Sequence, residues 1–282
     1  MSDTVTADGW VPVDQTDTPV DNAILTMGGV TLNFGGLSAV SEVDMNLQVG
    51  ELVGLIGPNG AGKTSIFNLL TGVYPPTAGK IQFTRDGKTR NLGGMKPHSI
   101  CWAGIGRTFQ NIRLFRALPV IDNVMIALQH DVPYGLATSF LHTLKYGRVE
   151  QQIRDESLEL LRIMGLDGDA DELAQNLPYG KQRRLEIARA MATHPVLLLL
   201  DEPAAGMNPA ETADLTQLIG RLRKEYDLTI LLIEHDMSLV MDICERIYVL
   251  DHGVVIASGT PTEIQHNPAV IEAYLGAEAV DA

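Results

Sequence analysis

The chain has 282 residues, enough to bury one large core or two modest ones without a disulfide or metal staple, and its 45 % hydrophobic and 20 % charged residues are an ordinary globular balance. Its 21 Lys and Arg against 35 Asp and Glu give a net charge of −14. That excludes a broad basic surface for gripping nucleic acid or an anionic membrane.

No apolar run approaches the roughly 18 residues of a membrane span, and residues 1–62 carry no Lys or Arg, so no positively charged leader is expected. Residues 1–22, with Asp3, Asp8, Asp14, Asp17 and Asp21 and little apolar periodicity, read as a disordered acidic arm. Alternation predicts strands over 24–34 and 43–49 with a turn at Gly35 and Gly36. A short apolar strand, 51–56, then enters a Gly-rich loop, and 64–71 has helical spacing. Residues 77–96 suggest turns and an edge strand, and about 120–176 a helical insertion. From Gly180 the predicted order is helix, strand (196–200), helix (210–226), strand (229–234), helix (237–244) and strands 247–250 and 254–257. Such alternation predicts an α/β fold with a mostly parallel sheet covered by helices. Cys101 and Cys244 are too few and too far apart for a framework and read as reduced thiols of a cytosolic protein.

Gly57, Pro58, Asn59, Gly60, Ala61, Gly62, Lys63 and Thr64 fit the G-x-x-x-x-G-K-[ST] phosphate loop between a strand and a helix. Backbone N–H groups and the helix start supply positive potential; side chains at Gly60 and Gly62 would obstruct phosphate oxygens. Lys63 is expected on the terminal phosphates and the Thr64 hydroxyl on Mg²⁺. Strand 196–200 runs into Asp201 and Glu202 at the sheet's C-terminal edge. Asp201 is expected to bind Mg²⁺ and Glu202 to polarise the attacking water, against the plainer alternative of an acidic strand end capping the next helix. His235 ends the next strand and is placed to donate to a γ-phosphate, or else is a satisfied structural histidine. Residues 177–184 open an amphipathic helix, another potential anion site, with the alternative that Arg183, Arg184 and Arg189 form a solvated cationic face.

In this order the phosphate loop, Gln110, residues 177–182, Asp201 with Glu202, and His235 resemble the ATP-binding cassette (ABC) ATPases. Residues 104–115 (GIGRTFQNIRLF), 179–189 (YGKQRRLEIAR), 201–209 (DEPAAGMNP) and 267–276 (NPAVIEAYLG) look most like the branched-chain amino acid importer ATPases. The resemblance implies a P-loop NTPase of the ABC type: a mostly parallel RecA-like sheet, an N-terminal antiparallel β subdomain, and a helical subdomain at about 118–178 inserted in an ATPase domain spanning 23–276, with a tail at 277–282. It implies ATP and Mg²⁺ as ligands. Phe34 would stack on adenine, although a core aromatic is the plainer reading. Ser65 would follow Thr64 in the loop; Gln110 would be the Q-loop glutamine, contacting Mg²⁺ or the attacking water; His235 would be the switch histidine.

Leu177, Pro178, Tyr179, Gly180 and Lys181 stand where the signature L-S-G-G-Q is expected, and only Leu177 and Gly180 agree with it. Pro178 removes the hydroxyl that would touch an opposing γ-phosphate, and Asn208 takes the usual D-loop Asp. Two cassettes would face head to tail, a sister ATPase or a second copy completing each site. Two integral membrane permease subunits would dock near Phe109, Leu114, Phe115 and Val120, with a periplasmic solute-binding protein acting indirectly and no nucleic acid involved. The implied place is the cytoplasmic face of the inner membrane, as a peripheral subunit. An importer of urea or amides, a soluble cassette ATPase, and a small-molecule kinase or GTPase are the alternatives. The last lacks an Asn-Lys-x-Asp guanine motif and leaves His235 unexplained.

Overall fold

The computed structural model describes residues 22–129 and 144–278. Apart from Asn22 the expected acidic arm lies outside them, as do 130–143 of the expected insertion and 279–282 of the tail. In chain order the elements begin β1 (Ala23–Phe34), β2 (Leu37–Gln48), β3 (Leu52–Ile56), α1 (Lys63–Leu70), β4 (Ala78–Arg85), β5 (Lys88–Asn91), α2 (Pro97–Ala103), β6 (Ile105–Arg107), α3 (Val120–Leu128) and α4 (Leu144–Ile163). They continue α5 (Tyr179–Met191), β7 (Leu197–Asp201), α6 (Pro209–Glu225), β8 (Thr229–Ile233), α7 (Met237–Ile243), β9 (Arg246–Asp251), β10 (Val254–Gly259), α8 (Pro261–Gln265) and α9 (Pro268–Glu278). No helix among the described residues is long and apolar enough to cross a membrane.

β1 and β2 form an antiparallel hairpin closed at Phe34 and Leu37 by the Gly35–Gly36 turn. β2 starts earlier than its apolar pattern predicts because only Val40 is buried in its first six residues, so backbone pairing with β1 orders that half. Residues 77–96 hold the expected turns and edge strand, and one strand more than expected. β4 is an inner strand, paired with β1 and β5 and burying Ile81 and Phe83, and β5 is the edge of the order β2-β1-β4-β5.

The second sheet has the order β10-β9-β3-β8-β7-β6, parallel from β9 to β6 with β10 antiparallel at one edge. Every residue of β3, β7 and β8 is buried, as a sheet covered on both faces requires. Alternation divides their side chains between two cores. Leu52, Ile56, Leu198, Leu200, Ile230 and Leu232 join the helical side with α3 to α7. Val53, Leu55, Leu197, Leu199, Leu231 and Ile233 face α1 and the antiparallel sheet. Gly54 lets α7 approach: a Cβ there would meet Cys244 Sγ at 3.1 Å and Val240 at 3.2 Å. Neither cysteine forms a disulfide, and burial pushes the Cys244 thiol up to about 12.

Candidate functional site

The loop after β3 is pressed against the end of β9 and the turn that follows it. Gly57 has φ 150° and a Cβ there would lie 2.0 Å from the Leu250 carbonyl oxygen; Gly62, at φ 105°, would place one 2.6 Å from the Ala39 carbonyl oxygen. Only glycine fits both positions. Gly62 caps α1 with no side-chain acceptor, so the N–H groups opening that helix, together with its dipole, make an electropositive cradle at the loop. Asn59, Gly60 and Thr64 are exposed and Ser65 half-buried, whereas Ala61 is buried and accepts from Gly253 N at 2.9 Å. Lys63 curls back over the loop and donates to the carbonyls of Gly57 (2.7 Å) and Pro58 (2.9 Å). Burial lowers its pKa, and the charges of Glu202 and Asp201 nearby oppose that.

β7 delivers both carboxylates beside this loop. Glu202 adopts φ 48°, a left-handed conformation costing a non-glycine residue on the order of 1–3 kcal/mol, and is held there by its N–H on the Ile233 carbonyl at 2.9 Å. Its Oε2 accepts from Gln110 Nε2 at 2.9 Å and its Oε1 from His235 Nε2 at 3.0 Å. A carboxylate only accepts, so the His235 proton in this pair sits on Nε2. Gln110, Glu202 and His235, 125 residues apart in sequence at the extremes, thus form one hydrogen-bonded cluster.

Asp201 is buried and paired with Arg107 Nη2 at 3.0 Å. Burial raises its pKa and Arg107 pulls it down. Arg107 also donates to Asn68 Oδ1 (2.9 Å) and Thr71 Oγ1 (3.0 Å) on α1, with its guanidinium between the rings of Phe67 and Phe109. Glu234, buried and pushed up in pKa by that burial, accepts from Ala204 N at 2.7 Å and His235 N at 3.0 Å, fastening the loop after β7 to the loop after β8. Sequence reasoning missed Arg107 and Glu234 as site residues, because nothing in their local pattern says what lies across the sheet from them.

The segment before α5 keeps to other neighbours. Leu177 is buried, Pro178 caps α5, Tyr179 is exposed, and Lys181 Nζ pairs with Asp169 Oδ2 at 2.6 Å. A Cβ on Gly180 would meet Glu211 Oε1 at 3.2 Å, and Gly206 packs under the Tyr179 ring. Among the described residues no hydrogen bond or ion pair joins 177–181 to 57–65. Arg183 is fully buried, which overturns the solvated cationic face: its side chain turns inward from the first turns of α5 and pairs with Glu186 at 2.8 Å. Phe34 is 44 % exposed at the end of β1, edge-on to Tyr74 with centroids 5.0 Å apart, so it is not the core aromatic of the plainer reading. Val120, by contrast, is wholly buried and offers nothing to a docking partner. Phe109 and Arg113 instead line a cavity of about 390 Å³ with Thr71, Ile100, Arg107 and Arg189.

The family described as "ABC transporter" matches residues 40–205, and "Branched-chain amino acid ATP-binding cassette transporter" matches 254–280. The chain is 49 % identical to the high-affinity branched-chain amino acid transport ATP-binding protein LivG of Escherichia coli over 90 % of its own length and 98 % of LivG. It is 46 % identical to the corresponding BraF of Pseudomonas aeruginosa with the same coverage. The ADP conformation of MJ1267, an ATP-binding cassette of an ABC transporter, superposes with TM-score 0.76 at 26 % identity, covering 90 % of this chain and 99 % of that one. Phosphate loop, carboxylate cluster, two-sheet fold and these likenesses agree: the chain belongs to the ABC transporter family, as its nucleotide-binding ATPase component.

Proposed function

We propose that this chain hydrolyses ATP to drive import of branched-chain amino acids. The observation that carries the hydrolytic reading is Glu202, held from both sides by Gln110 and His235 beside the phosphate loop. The solute is supported by the likeness to LivG and BraF, whose names state it. In this reading the N–H groups of Gly60, Gly62, Lys63, Thr64 and Ser65 bind the phosphates of ATP and Lys63 exchanges its loop carbonyls for the terminal phosphates. Glu202 takes a proton from the attacking water, Gln110 orients that water, and His235 donates from Nε2 to the γ-phosphate. Phe34, with Tyr74 behind it, stacks on the base.

The donor set of Thr64 and Gln110 side-chain oxygens with the Asp201 carboxylate fits Mg²⁺, which prefers one or two carboxylates with substrate phosphates and water over an all-protein cage; among the described residues no cluster of three or more His, Cys, Asp or Glu forms such a cage. When bound, the ion would neutralise charge building on the transferring phosphoryl group.

Residues 23–276 act as the ATPase domain, with about 118–178 as its helical subdomain. Leu177 to Lys181, turned away from the chain's own loop, face the nucleotide of a second cassette placed head to tail, a sister ATPase or another copy. The cavity at Phe109 and Arg113 receives a helix of one of two membrane permease subunits, fixing the chain peripherally at the cytoplasmic face of the inner membrane. A periplasmic binding protein delivers the solute to those subunits.

The test is ATP-dependent uptake by proteoliposomes holding this chain, its sister ATPase, the permeases and the binding protein. Leucine, isoleucine and valine are predicted to accumulate, and Glu202→Gln to abolish accumulation while nucleotide still binds. Uptake of urea or amides in place of leucine would replace the solute assignment.

A further inference from the structure

Gln110 is held at both ends. Its side-chain amide donates to Glu202, and its backbone carbonyl accepts from Arg183 Nη2 at 2.9 Å. Arg183 Nη1 reaches the Phe109 carbonyl at 2.7 Å and Glu186 Oε2 at 2.8 Å. The other Glu186 oxygen accepts from Phe109 N (3.2 Å) and Arg113 N (3.3 Å). Arg183 is 0 % exposed and Glu186 4 %. Residues 108–118 form neither helix nor strand, so their backbone groups find partners outside any ladder, and this one ion pair supplies four. Burying an ion pair is a poor way to stabilise a core compared with apolar packing, and Arg183 Nε finds no acceptor at all. Burial raises the Glu186 pKa, and the charge of Arg183 opposes that. All the spare hydrogen bonds of the pair but the one to Tyr179 go to a single loop, the loop that carries Gln110.

We propose that Arg183 and Glu186 are positioning residues that set Gln110 against Glu202, and that they make the Gln110 loop and the first turns of α5 move as one body. Resting on the head-to-tail reading above, this pair then links the chain's own nucleotide, sensed at Gln110, to the partner's nucleotide, met by Leu177 to Lys181. Neither Arg183 nor Glu186 touches ATP; they act through the loop backbone.

The experiment is a double-mutant cycle between Gln110→Ala and Arg183→Lys, with Glu186→Gln as a second probe. Each variant is followed by thermal unfolding, by binding of a fluorescent ATP analogue to the purified chain, and by steady-state turnover in the assembled transporter. Arg183→Lys keeps the charge but loses the fork that grips two carbonyls at once. It is predicted to bind the analogue within about twofold of wild type and to lower kcat about tenfold at unchanged KM. The double variant is predicted to fall no more than about twofold below Gln110→Ala alone, because both changes act through one group. Effects of Gln110→Ala and Arg183→Lys that multiply, or a loss of analogue binding that tracks a loss of thermal stability, would reduce the pair to core packing and overturn the proposal. Glu186→Gln, which retains shape, serves if Arg183→Lys does not fold; it is predicted to show the same kcat loss and the same non-additivity. A wild-type chain that binds no analogue, or an assembly with no turnover, would be a failure of the ATPase reading itself and is distinguished by the controls.

Discussion

At the scale of single residues the site is organised by charge held under strain. Asp201 is buried with Arg107 as its counter-ion, and removing one member of a buried pair leaves the other uncompensated. Arg107→Met is therefore predicted to destabilise the chain by about 3–5 kcal/mol, read by denaturant unfolding, and to weaken the cohesion of α1 with β7. Phe34→Ala should weaken ATP binding about tenfold in a titration of the purified chain, since stacking on a base contributes about 1–3 kcal/mol. Lys63, Glu202 and His235 are legible in sequence because they sit at fixed distances from a motif or a strand end. Arg107, Arg183, Glu186 and Glu234 are not, because their roles come from burial and from partners 30 to 94 residues away, or from an ordinary-looking helix turn whose outward face is covered by the Gln110 loop. The reading of Arg183 as solvated failed for that reason: helical spacing tells which residues share a face, not what packs on it.

Elements show the same division. The phosphate-loop strand, α1, β7, α6 and β8 were predicted within a residue or two, since short, fully buried and mostly apolar runs bounded by polar turns have few alternatives. β6, three residues long, and α2 just before it were not foreseen; Ile105, Gly106 and Arg107 become a strand only because β7 offers them a parallel edge. The edge strand expected in 77–96 is β5; β4 beside it was not separated from it, because its exposed first three residues hide that it is paired on both sides. Caps are another element-scale feature. Asn208 caps α6 reciprocally with Glu211, and Asn208→Ala should cost about 1 kcal/mol and lower the unfolding midpoint without altering nucleotide affinity. Asp236 caps α7 and is held below the usual carboxylate range by the Ser238 hydroxyl first and by backbone N–H groups of Leu239 and Ser238. Its folded pKa lies below its unfolded one, so its contribution is present above about pH 4 and is lost as pH falls through the folded value. Asp236→Asn is predicted to flatten the acid limb of the stability profile below about pH 4 and to leave the neutral limb parallel to wild type.

For the molecule as a whole, the parallel sheet is a wall between two cores, and the candidate site sits along its C-terminal edge where β3, β7 and β8 end. On the proposed function, shifts at that edge would reach the helical side through β7 and the Gln110 loop and so pass nucleotide state to a membrane partner at the cavity beside Phe109. The family and the fold were open to sequence reading since phosphate loop, Gln110, signature position, carboxylates and His235 occur in one order. The antiparallel sheet was expected from strands 24–34 and 43–49 and from the resemblance, but not its full extent, because residues 37–42 and 78–85 present their buried side chains too sparsely to announce strands. The most direct test of hydrolysis at Glu202 is phosphate release by the purified chain, alone and assembled with sister ATPase and membrane subunits in lipid, beside Glu202→Gln. Release that rises in the assembly and drops by at least about 10²-fold in the variant, with ATP still bound, is the predicted result. Release by the isolated chain that neither the partners nor Glu202→Gln changes would contradict both the catalytic role of Glu202 and the place of this chain in a transporter.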